Sequence, residues 1–122
     1  MNLLAKCIAV GLGGFAGSIA RYLVSKIEFG KSGSFPVNTL LVNIIGAVLI
    51  GIIIAYADKF GMSEEKLLFL KVGLCGGLTT FSTFSAETLG LIESGHFAAA
   101  AGYIVISVLL CIAGVYLGMN II

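Results

Sequence analysis

The stretch Val72–Glu87 reads VGLCGGLTTFSTFSAE, and its reading decides the fold. Charges flank it at Lys71 and Glu87, and the 15 residues from Val72 to Ala86 carry none. It is apolar enough for a membrane but poor as a helix. Gly73, Gly76 and Gly77 each cost roughly 1 kcal/mol against alanine in a helix interior. Thr79, Thr80, Ser82, Thr83 and Ser85 then place five hydroxyls where lipid favours hydrocarbon. Backbone facing lipid must satisfy its own hydrogen bonds, so a weakened helix at that depth survives only against protein or a wet cavity. The stretch therefore reads as a broken helix whose bared carbonyls face a cation. The competing reading is a Gly/Ser/Thr face for close helix packing.

Outward from this stretch, the chain is of one kind. Its 122 residues are 59% hydrophobic and 11% charged, against about 25% charged in an average chain. With a mean hydropathy of +1.14, it cannot cover itself with polar surface. The expectation is an all-α integral membrane protein, a single domain over residues 1–122 with helices at about 3–27, 36–57, 65–92 and 97–122. Net charge is +1, which excludes a strongly basic nucleic-acid binder. Cys7, Cys75 and Cys111 are odd in number and lack C-x-x-C spacing, so they read as free, packed thiols. The N-terminal segment resembles a signal peptide only superficially, because no clear cleavage site follows and three more apolar segments do.

Within the first segment Gly13 and Gly17 form a packing step, and Arg21 is expected near the interface. Lys26–Phe35 reads as a loop with turn residues Gly30, Ser32 and Gly33. Pro36 suits the start of the second helix. Ser32–Ala57 is 26 residues without charge, long enough to span about 30 Å. Thr39 and Asn43, four apart, share a face there. Asn43 is either helix–helix glue or a pore residue. Asp58–Lys66 reads as a polar connection with Ser63 as a helix N-cap. In the third segment Phe81 and Phe84 share a face if the chain is helical from Leu78 onward, and Thr80, Thr83 and Glu87 form a neighbouring polar face. Glu87 also reads as a solvated carboxylate at a helix end. His96 lies in a short turn with no partner. Along the fourth segment Tyr103, Ser107 and Cys111 make one stripe, and Gly114 and Gly118 a second packing step.

With an even number of spans, Lys6, Lys59 and Lys66 fall on one side, joined by Lys71 if the interface reaches it. Arg21, Lys26 and Lys31 fall on the other. That balance leaves the positive-inside rule little to act on. Insertion in both orientations is the expectation, and with it an antiparallel homodimer about a two-fold axis in the membrane plane.

Three blocks together carry a resemblance: GGFAGSIARY at Gly13–Tyr22, PVNTLLVNIIG at Pro36–Gly46 and GLCGGLTTFSTFSAE at Gly73–Glu87. In that order they resemble the Fluc/CrcB family of microbial fluoride channels, along all four segments. The chain departs from it at Asn38, where glycine is more usual, and at Cys111, where a hydroxyl is common. The resemblance implies a dual-topology dimer in the bacterial plasma membrane with two fluoride pathways. It also implies a structural sodium ion at the dimer centre, held by backbone carbonyls of Gly76 and Thr79 from both subunits. The implied ion-pathway set is Asn43, Phe81 and Phe84, with Tyr103 and Ser107 placed by spacing. Thr39, Ser82 and Thr83 add hydroxyls, and Arg21 and Glu87 match motif positions near the pore ends or in dimer structure.

The chemistry agrees with that implication. Fluoride is small and strongly hydrated, so a channel must replace its water with donors. Asn43 offers amide N–H, and Ser82, Thr83 and Ser107 offer hydroxyls. Phe81 and Phe84 offer the positive edges of their rings. With no nucleotide motif and no acid read in mid-segment, passive conduction follows, not enzyme or pump chemistry. The rival readings are a small four-helix dual-topology multidrug exporter, which needs a carboxylate deep in a helix, and an assembly subunit whose polar faces serve packing alone.

Overall fold

The computed structural model describes residues 2–29 and 35–122. The expected turn residues Gly30, Ser32 and Gly33 lie outside them. The described residues form helices throughout: α1 (Leu3–Ser25), α2 (Val37–Phe60), α3 (Glu64–Leu67), a π-helical stretch (Leu68–Cys75), α4 (Gly76–Leu78), α5 (Ser82–Glu93) and α6 (Phe97–Met119). Four spans are long and apolar enough to cross a membrane: α1, α2, the composite Glu64–Glu93 and α6.

Local chemistry sets the ends. Asn2 caps α1 by accepting the Ala5 N–H at 2.8 Å, and Ser63 caps α3 by accepting the Lys66 N–H at 3.4 Å. The polar connection expected at Asp58–Lys66 is shorter than its charges suggest. The second helix runs on to Phe60 and stops at Gly61, whose φ of +78° suits a residue without Cβ. Gly95, at φ +84°, turns the chain between α5 and α6. Ordinary C-caps close α1 at Lys26 and α6 at Asn120, short of the expected ends at 27 and 122.

The spans pair out of sequence order. The first packs along the third, and the second along the fourth. Glycine makes both seams. A Cβ on Gly13 or Gly17 would run into the backbone carbonyl of Phe69 or Leu74, and one on Gly51 or Gly118 into that of Val115 or Val48. Small residues let backbones approach where lipid offers no hydrophobic drive to association. Leu91, Ala100 and Tyr103 form a buried apolar cluster, with Phe35, Leu40 and Phe84 packed against them. Tyr103 is fully buried. Large apolar side chains such as Leu12, Phe15, Leu109 and Ile112 face outward, as a lipid-facing surface requires.

Candidate functional site

The third span is interrupted where its sequence weakens it. Thr79 takes φ −90° and ψ 159°, an extended conformation, and the helix resumes only at Ser82. The third span is thus bent within the stretch read as a broken helix, and the condition set for Phe81 and Phe84 to share a helical face, helix from Leu78 onward, is not met: Thr79, Thr80 and Phe81 form the junction.

Helical bonds are diverted at this junction. The Thr80 N–H, which would close on the Gly76 carbonyl, donates to Asn43 Oδ1 at 2.8 Å. The Thr83 N–H, which would close on the Thr79 carbonyl, donates to Thr80 Oγ1 at 3.1 Å. Asn43 Nδ2 donates to the Thr80 carbonyl at 3.0 Å, so one side chain from α2 brackets one peptide of the break. Arg21 Nε donates to the Gly77 carbonyl at 3.1 Å. The carbonyls of Gly76 and Thr79 are thereby left without their helical partners. Two hard oxygens, one on an exposed glycine, suit a cation such as sodium, a donor set unlike the His, Cys, Asp and Glu clusters that bind transition metals. Among the described residues no cluster of three such side chains exists.

A groove of about 720 Å³ opens beside the junction, lined by Asn43, Gly76, Thr79, Thr80, Phe81 and Lys71 among others. A smaller pocket of about 260 Å³ is lined by Arg21, Asn38, Thr39, Thr80 and Thr83 with Ser18 and Ser25.

The sequence-expected residues fall into two groups. Asn43, Gly76, Thr79 and Phe81 meet at the groove. Thr39, Glu87 and Tyr103 form a chain of their own: Thr39 Oγ1 donates to Glu87 Oε2 at 3.0 Å and Tyr103 OH to Glu87 Oε1 at 3.0 Å. Glu87 is therefore no solvated helix-end carboxylate. It lies in the middle of α5 with both oxygens engaged, and an acid does stand inside a span. Phe84 links the groups, its ring 5.6 Å from Phe81 and 5.0 Å from Tyr103. Phe81 is 78% exposed. Ser107 is buried, and its hydroxyl has no partner. The Ser82 hydroxyl lies 3.4 Å from that of Thr80. Thr79, Ser85 and Thr88 spend their hydroxyls on the carbonyl four residues back, which reduces the donors free for a ligand.

Sequence reasoning named Thr80 only as part of a polar face and Asn38 only as a departure from the family, and missed the partners that give both their place. Thr80 is the bracketed peptide, and nothing in its neighbourhood on the chain points to Asn43. Asn38 ties α1 to α2 by donating to the carbonyls of Val24 and Ile27 at 2.7 Å each. Its signal was a polar amide in the first turn of an apolar helix.

Four apolar spans, one of them broken at a polar junction, define a polytopic membrane protein. The match to known proteins narrows this. The family model described as CrcB-like protein, Camphor Resistance (CrcB), covers residues 8–119, and the chain belongs to that family. It is similar to a protein of Nitrobacter winogradskyi named a fluoride-specific ion channel, at 46% identity over 94% of this chain and 93% of the relative. A relative of the same name from Shewanella pealeana is 45% identical over 93% of this chain and 92% of its own. Another from Methanococcus maripaludis is 44% identical over 94% and 93%.

Proposed function

We propose that this chain is a passive, selective fluoride channel of the bacterial cell membrane that lets cytoplasmic fluoride out. The observation that carries the reading is the interrupted third span, with its helical N–H groups diverted to Asn43 and Thr80. The names of relatives that match nearly the whole chain support it. The working unit is an antiparallel homodimer of the single four-helix domain, with the second copy seated on the groove beside Gly76. Gly76 and Thr79 of both copies would hold a structural sodium ion. When bound, it supplies a fixed positive charge near the anion and pins the broken helices.

The chain's own residues do the rest. Asn43 uses one amide N–H on Thr80 and keeps the other for an anion. Phe81, exposed in the single chain, presents its ring edge beside that of Phe84. The unpartnered Ser107 hydroxyl donates. Thr39, Glu87 and Tyr103 hold the far side of the path in register, and Arg21 fixes the junction through Gly77. Narrowness favours fluoride over chloride. Because hydrogen fluoride enters as a neutral acid and ionises inside, a passive path suffices for export.

The test is fluoride efflux from liposomes carrying the purified protein, with a potassium ionophore to clamp charge and chloride as control. Rapid electrogenic loss of fluoride without chloride is expected. Absence of fluoride flux from a well-folded dimer sinks the reading. It would also revive the multidrug exporter, for which the in-span carboxylate of Glu87 is the motivating feature.

A further inference from the structure

Among the described residues Lys71 is the sole charged one that lines the groove beside the junction, alongside Asn43, Gly76, Thr79 and Phe81. It is half-buried, stands in the π-helical stretch, and has no ion-pair partner among the described residues. The other three lysines on this side of the chain are spent differently: Lys6 pairs with Glu64 at 2.9 Å, Lys59 is exposed and lies over the Phe60 ring, and Lys66 is exposed in α3. A cation inside an apolar span is costly unless it pairs, snorkels or faces water. Lys71 lies two residues before the motif stretch Gly73–Glu87, so neither the break nor the resemblance calls for a charge there.

We infer that Lys71 is an electrostatic positioning residue, which raises the anion concentration in the groove and so speeds permeation when fluoride is scarce. The inference rests on the fluoride-channel reading. Lys71 lines the same groove as Asn43 and Phe81, the residues read above as facing the anion. A unit charge at about 8 Å in water attracts an anion enough to raise its local concentration about 2- to 3-fold. Salt weakens this, since the screening length falls from about 30 Å at 10 mM ionic strength to about 3 Å at 1 M.

The experiment compares initial fluoride efflux from liposomes for the intact chain, Lys71→Gln, Lys71→Met and Lys71→Arg. It is run at low fluoride, at about 10 mM and about 1 M ionic strength set with an impermeant salt. Dimer integrity is checked by gel filtration. At low ionic strength the two neutral variants run about 2- to 3-fold slower. At high ionic strength the gap closes, and Lys71→Arg matches the intact chain throughout. Equal rates at low ionic strength overturn the inference alone. So does a deficit that salt does not change, or a failure of arginine to rescue. If neither neutral variant assembles, Lys71 belongs to the packing and the inference is likewise overturned. If the intact chain passes no fluoride, the channel reading fails and the inference falls with it, an outcome visible before any variant is made.

Discussion

Replacing Asn43 by alanine tests the junction most directly. The change removes the acceptor of the Thr80 N–H and the donor to the Thr80 carbonyl, at 2.8 and 3.0 Å. The geometry leaves no helical substitute, because the Gly76 carbonyl is out of reach of a peptide that follows an extended Thr79. A neutral hydrogen bond contributes about 0.5–1.5 kcal/mol net, and a buried group left bare costs about 1–3 kcal/mol. Both Asn43 contacts are half-buried, so the lower half of each range applies, about 2–4 kcal/mol for the pair. The assay is amide hydrogen exchange of the protein in detergent, read at Thr80. With each 1.4 kcal/mol equal to tenfold, exchange there accelerates by about 30- to 700-fold. Amides in the α2–α6 seam, such as Val115, are unaffected. Asn43→Asp separates scaffold from pathway. It keeps an acceptor for the Thr80 N–H, so protection at that amide persists, but it sets a negative charge in the anion's way and fluoride flux collapses. Unchanged Thr80 exchange in Asn43→Ala would refute the bracketing argument.

Four more substitutions have expected outcomes. Gly76→Ala adds a Cβ that meets nothing within 4 Å in the chain, so the fold stays intact while dimerisation weakens, as read by single-molecule subunit counting in lipid. Gly13→Ala, which strikes the Phe69 carbonyl, loses the fold itself, and an undisturbed dimer in Gly76→Ala would remove the second copy from that groove. Ser107→Ala deletes a buried hydroxyl with no partner, so thermal stability holds or rises by up to about 1 kcal/mol while fluoride flux falls. A clear loss of stability would show that the hydroxyl serves packing. Tyr103→Phe removes a hydrogen bond to the Glu87 carboxylate, at a cost of about 1.5–3 kcal/mol in detergent unfolding, and it slows fluoride efflux. Equal stability would place Glu87 outside that network.

The spans were legible because an apolar run without charge has few other fates. The break was legible because glycines and hydroxyls crowd one place, Gly73 to Ser85. The partners at the break were not. Asn43 lies 37 residues before Thr80, and only the packed helices bring them together. Glu87 was misjudged for the same reason. Sequence places it at the edge of an apolar run, whereas Thr39 and Tyr103 reach it from two other helices. The π-helical stretch was also invisible, since the residues that make it read as ordinary helix formers.

The out-of-order pairing of spans bears on how the chain is made. Synthesis delivers α1 and α2 first, yet the glycine seam of α1 is cut for the third span and that of α2 for α6. Neither early helix has its mate until the ribosome has nearly finished. Two nascent segments must therefore wait in lipid with their notched faces open. Glycine is well suited to the wait: a bare notch exposes no polar side chain to the bilayer and offers little for a wrong neighbour to grip.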